Sequence, residues 1–371
     1  MAVLPVWLTG GLSIFMAEDL AFDEQQLGFA VAGFFLSSAA ASVPGGRLAE
    51  RFGARRSIPL LASVSAVILA AISTAQSWLV VSGLLIIGGA ANGMLHPSVN
   101  LALARQVTGR RALAFGIKQS AIPAATLIAG VAVPSIASTL GWRSAFQAAA
   151  LLSLCMAVLS AVVIRDSAAA ESGRPVKLTM PMFYLIVLTV AAGFGAAAGN
   201  AMAAFLVPSS VEAGIEPNTA GIILVVGSIS CIITRVWIGW RADSRRGGHL
   251  RVVAYQLLIG AVGFALLAWS AAPTTVVFIG AILGFAAGWG WAGLFNFDIV
   301  ERNPDAPATA TGVIAVGIFG GAVFGPSLFG TIVVATSYTA AWWATSFLGL
   351  SGAVLTFVAR RRLMVIGRRR S

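Results

Sequence analysis

The chain has 371 residues, of which 58% are hydrophobic and 10% charged, with a mean hydropathy of +0.91. A soluble domain carries about 25% charged residues, so this composition excludes a soluble protein with a large core and leaves most of the apolar surface to lipid or to other helices. The net charge of +11 would suit a nucleic-acid partner, but the cations cluster in turns between apolar runs, which points to lipid headgroups and argues against nucleic acid.

A membrane-spanning helix needs about 20 predominantly apolar residues. Polar or turn-forming breaks mark off twelve such runs, at 1–17, 27–49, 57–76, 79–104, 112–138, 144–164, 180–207, 218–240, 251–271, 274–297, 308–334 and 340–359. Lipid offers no partner to an open sheet edge, so these runs are predicted to be helices. The alternating strands of a membrane barrel do not occur. The expected fold class is an all-α integral membrane protein.

Along the chain, the turn after the second run concentrates charge: GGRLAERFGARRS, from Gly45 to Ser57. The fourth run carries Asn92, His96 and Asn100, spaced i, i+4, i+8 on one helix face. That stripe either makes interhelical hydrogen bonds, worth about 1 kcal/mol or less each, or lines a cavity. The fifth run holds Lys118, with Gln119 and Ser120 beside it and Pro123 a turn later. The lysine either snorkels to the headgroups or faces a cavity, where an intramembrane cation is a functional group by default. Cys155 and Cys231, in the sixth and eighth runs, are expected to be free thiols. Asn200 and Asn296, in the seventh and tenth, are candidate cavity residues. Arg235, one turn before Gly239, is expected to snorkel. Trp289 and Trp291 either stack on a substrate or pack, and the glycines of the eleventh run (Gly312, Gly317, Gly320, Gly321, Gly325) let helices approach closely.

Loops placed alternately on the two sides of the membrane separate the charges. One side collects Arg47–Arg56, Arg105–Arg111, Arg165–Lys177, Arg241–Arg251, Arg302 and the C-terminal arginines; the other has Arg143. This positive-inside pattern puts both termini in the cytoplasm of a multi-pass cell-membrane protein. The N-terminus has no basic n-region or cleavage site, so no signal peptide is expected. No G-x-x-x-x-G-K-[ST] loop is present, so no ATP-hydrolysing site is expected within the chain.

The chain also repeats itself. At an offset of 193, Gly46 and Glu50 match Gly239 and Asp243, Gly28 matches Gly221, and Asp19 and Asp23 match Glu212 and Glu216. At 196, Gly88 matches Gly284, Asn100 matches Asn296, and Trp142–Phe146 matches Tyr338–Trp342. The expected organisation is two six-helix bundles, 1–165 and 179–371, joined by a polar linker at 166–178, with a short basic tail. Met1 corresponds to Phe194 although the seventh run begins near Met180, so the natural start is expected upstream, or the first span is short and poorly anchored.

Two repeats of six spans, each with a charged turn between its second and third span, resemble the major facilitator superfamily. The signature turn of that family, G-x-L-a-D-r-x-G-r-r, reads here Gly46, Leu48, Ala49, Glu50, Arg51, Gly53, Arg55 and Arg56, with Glu in place of Asp. The second copy is degraded to Gly239, Ala242, Asp243, Arg245 and Arg246. Phe115–Pro123 and Gly141-Trp142-Arg143 look like bacterial members. The arginine that the resemblance implies near the outer end of the fourth span, associated with proton-coupled drug export, is missing from Leu79–Gly88.

The resemblance implies a secondary transporter of a small molecule, working by alternating access. No enzyme chemistry, metal or cofactor is expected, and a monomer is. The thirteen carboxylates all fall in or beside loops. With none at mid-membrane, His96 is the span residue whose ordinary pKa of about 6.5 suits a co-transported proton. Lys118 and His96 lie at similar depths on consecutive helices, roughly 10–15 Å from their loop, and are expected to converge on a small anion. The alternatives are a proton-coupled exporter of drug-like compounds and a ligand sensor that does not transport. The turns at Glu50 and Asp243 are expected to act as gating latches. By the resemblance, Glu50 meets the start of the eleventh span. Arg51, Arg55 and Arg56 are expected to face the acids Asp298, Glu301 and Asp305, and Asp243 the basic segment Arg105–Arg111.

Overall fold

The structure, a computed structural model, describes every residue except 107–108, 165–178, 245–246, 270–272, 305–306 and 369–371. Within helices, the side chains of 43, 46, 47, 49, 50, 100–106, 111, 307–309 and 364–368 also lie outside the description. The linker 166–178, Arg245–Arg246 and Asp305 therefore lie outside the described residues.

Among the described residues, ten helical segments are long and apolar enough to cross a membrane: Arg51–Ser73, Trp78–Val99, Ala112–Leu140, Trp142–Val163, Met182–Glu212, Pro217–Ala242, His249–Leu267, Thr274–Arg302, Ala310–Ala335 and Tyr338–Leu363. Each coincides with a predicted apolar run. The first predicted run falls on two helices of eight residues, α1 (Leu4–Gly11) and α2 (Ser13–Leu20). They meet just after Gly10 and Gly11, both poor helix formers.

The second run opens α3 (Glu24–Ser73), which starts in a capping box: Gln26 N donates to Asp23 Oδ1 at 2.8 Å and Asp23 N to Gln26 Oε1 at 3.0 Å. α3 is continuous except at Gly53, whose φ of 72° is not helical. The break falls inside the charged turn, at a glycine with nothing within 4 Å of where a Cβ would sit. Only conformation requires glycine there.

The remaining helices are α4 (Trp78–Gln106), α5 (Arg111–Ala132), α6 (Ser138–Leu140), α7 (Trp142–Val163), α8 (Met182–Glu212), α9 (Pro217–Ala242), α10 (His249–Leu267), α11 (Thr274–Leu283), α12 (Ala292–Arg302), α13 (Pro307–Ala335) and α14 (Tyr338–Arg368). A π-turn at Val133–Ala137 joins α5 to α6, and another at Gly284–Gly288 leads from α11 toward α12. Such turns are rare and often mark functional positions.

The chain divides into two compact units. One comprises Met1–Gly109, Ala124–Ser172 and Ala203–Val225; the other comprises Arg110–Pro123, Gly173–Met202 and Val226–Ser371. In the first, α4 packs along α3 with backbones nearly touching: a Cβ on Gly93 would come within 2.0 Å of the Ser38 carbonyl oxygen. In the second, Leu185, Leu188, Leu257, Trp291, Phe295 and Ile314 anchor an apolar core between α8, α10, α12 and α13. There α13 lies close along α8, a Cβ on Gly321 reaching 2.0 Å from Gly193 O. Close approach of this kind is how helices pack where lipid removes the hydrophobic drive between them.

Candidate functional site

In the second unit, α9 and the turn that ends it present three residues at helical spacing to the first half of α5: Arg235, Gly239 and Asp243. The first N–H groups of a helix have no partner one turn back. Those of Ala112 and Leu113 donate to the two Asp243 oxygens, Oδ1 at 2.9 Å and Oδ2 at 3.1 Å. A carboxylate at this end is favoured by the helix dipole as well. One turn back along α9, a Cβ on Gly239 would stand 2.7 Å from Ala112 O, and one on Gly116 would stand 2.5 Å from Arg235 O. The two glycines let the backbones come together.

Arg235 is the residue sequence reasoning misplaced. It does not snorkel: it is 2% exposed. One guanidinium nitrogen donates to the Gln119 carbonyl and another to Trp289 O at 2.6 Å, and the charge lies 5.5 Å from the centre of the Trp289 ring. The sequence contains the signal. The helical donor to Gln119 O would be the N–H of residue 123, and residue 123 is proline, which has none. A carbonyl left open inside a membrane span is costly until a donor reaches it. Arg235 supplies that donor from within, so its side chain turns inward.

Lys118 is half-buried, six residues into the span Ala112–Leu140, with half-buried Gln119 next to it. Ser120 Oγ donates back to Gly116 O at 2.8 Å. The two candidate asparagines of this unit turn onto their own helices: Asn200 Nδ2 donates to Ala196 O at 2.7 Å and Asn296 Nδ2 to Ala292 O at 2.8 Å. The two tryptophans pack. Trp291 is 1% exposed and donates to Gly288 O at 3.0 Å, and Trp289 is 4% exposed against Gly199.

In the first unit, Asn92 is buried and donates to Ser38 Oγ at 2.9 Å, a bond between α4 and α3. His96 is half-buried one turn further along α4. Arg51, Arg55 and Arg56 are exposed, and Arg51 lies 5.5 Å from the Phe52 ring centre. The side chains of Gly46, Glu50 and Asn100 lie outside the described residues. His96 and Lys118 belong to different units.

Two of the acids expected opposite the arginines of the first turn have partners in the second unit. Buried Asp298 accepts from Arg302 Nε at 2.5 Å, and Glu301 lies 3.3 Å from His249 Nε2. Asp243, expected to face basic side chains, meets the α5 backbone. Nothing in the residue pattern announced a cluster in the first unit, where Asp19 accepts from Trp142 Nε1 at 2.9 Å and from Arg143. Those two donors hold its carboxyl below the usual value of 3.8. Cys155 and Cys231 are free. Among the described residues no group of three or more His, Cys, Asp or Glu side chains is placed to hold a metal.

Apolar spans and glycine-lined helix contacts are those of a polytopic, all-helical membrane protein. The family model described as Major Facilitator Superfamily matches residues 1–297, and the chain belongs to that superfamily. No curated protein matches the sequence. Among solved structures it is similar to a bacterial homolog of the human lysosomal transporter Spinster. The inward-facing, unoccupied form has a TM-score of 0.76 at 14% identity, covering 97% of this chain and 94% of the other. The inward-facing, occupied form has a TM-score of 0.72 at the same identity and coverage. At that identity the likeness concerns the fold. Family and fold together support a secondary transporter and point away from an enzyme.

Proposed function

We propose that this protein is a monomeric, alternating-access transporter of the cell membrane, with both termini cytoplasmic, that moves a small organic or inorganic anion. The observation that carries the reading is Lys118, a half-buried cation well inside a membrane span with Gln119 beside it. The fully buried Arg235 adds a second positive charge inside a span, whereas every carboxylate among the described side chains lies near a span end or in a loop. In a low-dielectric interior that excess of positive charge favours an anionic solute and disfavours a cationic one. His96 is the proposed carrier of a co-transported proton. The repeats 1–165 and 179–371 are the proposed moving halves, joined by the linker 166–178.

The test is flux in proteoliposomes, screening small anions and lipophilic cations with and without a pH gradient. Lys118→Gln is expected to raise the KM for the accepted anion much more than Lys118→Arg does. Normal transport by the Gln variant, or acceptance of cations alone, overturns the reading. The cation result would favour an exporter of drug-like compounds, and binding without flux would favour a sensor.

A further inference from the structure

We infer that Arg235 is a positioning residue for the transport segment of α5: by taking the Gln119 carbonyl that Pro123 leaves open, it fixes the rotation of the helical turn that presents Lys118. That Lys118 is functional rests on the reading above; the geometric claim does not.

Pro123 both removes the donor to Gln119 O and crowds that carbonyl, so the turn from Gln119 to Pro123 lacks one of its own restraints. The restraint that replaces it comes from another helix. Arg235 donates to Gln119 O from α9 and holds Trp289 O at 2.6 Å with its other terminal nitrogen. A planar fork spans two such acceptors, whereas a lysine ammonium is a point donor on a flexible stem. The helix is also tight here: Gly116, three residues before Gln119, packs between α9 and α12, with Gly293 so placed that a Cβ on it would lie 3.3 Å from Gly116 Cα. A turn of α5 held at the Gly116 backbone and at the Gln119 carbonyl cannot rotate without breaking one of them, and Lys118 lies between these two points. Pro123 is also the last α5 residue of the second unit, the next one, Ala124, belonging to the first. The Arg235 bond thus fixes the final stretch of α5 before the helix passes from one unit to the other.

The experiment needs no substrate, so failure of the anion reading leaves it interpretable. The parent is full-length protein carrying Lys118→Cys together with Cys155→Ala, which removes the exposed native thiol. It is labelled in proteoliposomes with a small cationic methanethiosulfonate. Arg235→Gln is expected to speed labelling at position 118 by about tenfold, the order set by losing one charge-assisted hydrogen bond. Arg235→Lys should fall between it and the parent. Adding Pro123→Ala, which gives Gln119 O an N–H from its own helix, should return the Arg235→Gln rate to within about twofold of the parent. A purely structural role for Arg235 would not be rescued by a change at residue 123. The inference is overturned if Arg235→Gln leaves labelling unchanged, or if the increase persists in the Pro123→Ala background. Where Arg235→Gln fails to reach the membrane, the Arg235→Lys series with and without Pro123→Ala is read by the same criterion.

Discussion

Removing the Asp243 carboxylate should loosen one specific place, the first turn of α5. Asp243→Ala withdraws both acceptors from Ala112 N and Leu113 N, now at 2.9 and 3.1 Å. Loss of a helix N-cap costs about 0.5–2 kcal/mol. The charge adds about 0.3–1 kcal/mol through the helix dipole at an exposed site. Asp243 is exposed, so water screens the charge and re-solvates the freed N–H groups, and the sum is best taken as about 1–2 kcal/mol. A value near 1.4 kcal/mol is a factor of ten in the opening equilibrium. Hydrogen–deuterium exchange in lipid nanodiscs reads this directly. Protection of the Ala112 and Leu113 amides should fall about tenfold in Asp243→Ala and about threefold in Asp243→Asn, which keeps one neutral acceptor oxygen. Exchange in α10 and α14 should not change. Unaltered protection at 112–113 in the folded Ala variant would refute the cap, and loss spread evenly over all helices would refute its locality.

Gly93→Ala places a methyl 2.0 Å from Ser38 O, so α3 and α4 must separate; a loss of about 1–3 kcal/mol, read as a lower unfolding temperature in detergent, is expected. His96→Asn should abolish the dependence of flux on an imposed pH gradient while leaving exchange of substrate for substrate intact; gradient-driven uptake that survives assigns the proton route elsewhere. Because Trp142 and Arg143 depress the Asp19 carboxyl below 3.8, the stability it gives is present above that value and is lost only as pH falls through the lower folded value. The pH profile of Asp19→Asn should therefore run parallel to that of the parent between about pH 5 and 8, and a missing acidic limb in the parent would contradict this.

What the sequence made legible was what depends on composition and period. Ten predicted runs became spans because 20 apolar residues leave lipid no other choice. The special status of the turn at Gly53 was visible because glycine and clustered arginines are improbable inside a span. What stayed hidden depends on direction. Depth alone placed Arg235 near a headgroup, yet it shares a face with Gly239 and Asp243, while Trp237 and Trp240 take the exposed face of α9. Asn92, Asn200 and Asn296 were legible as polar residues in spans, but their bonding partners were not. Asn200 and Asn296 bond their own helices, and Asn92 bonds a serine on α3 whose hydroxyl no periodicity singles out. The partner of Asp243 was sought among charges of opposite sign, when a helix start offers donors without any charged side chain.

The seam between α5 and α9 shows why two opposite charges share one helix face without pairing. Arg235 and Asp243 are eight residues apart, about 12 Å along α9. On α5, the open carbonyl of Gln119 and the open N–H of Ala112 are seven residues apart, about 10 Å. The helices run antiparallel, so the donor of α9 meets the acceptor of α5 at one end and the acceptor of α9 meets the donors of α5 at the other. Both backbone groups are free for reasons written in α5 itself: one precedes a proline by four residues, the other opens the helix. A slip of one turn would leave all of them unmet and would drive Gly116 and Gly239 out of the positions that permit contact. The polar pairs therefore act chiefly on register, a use of buried polar groups distinct from bulk stability. Their ends differ in consequence. At the exposed Asp243 end water substitutes for what is removed; at the buried Arg235 end, truncation strands the Gln119 carbonyl in a medium that offers no donor, a cost of about 1–3 kcal/mol. Damage to the seam should thus be graded from Asp243 inward to Arg235, in step with the loss of water along α9.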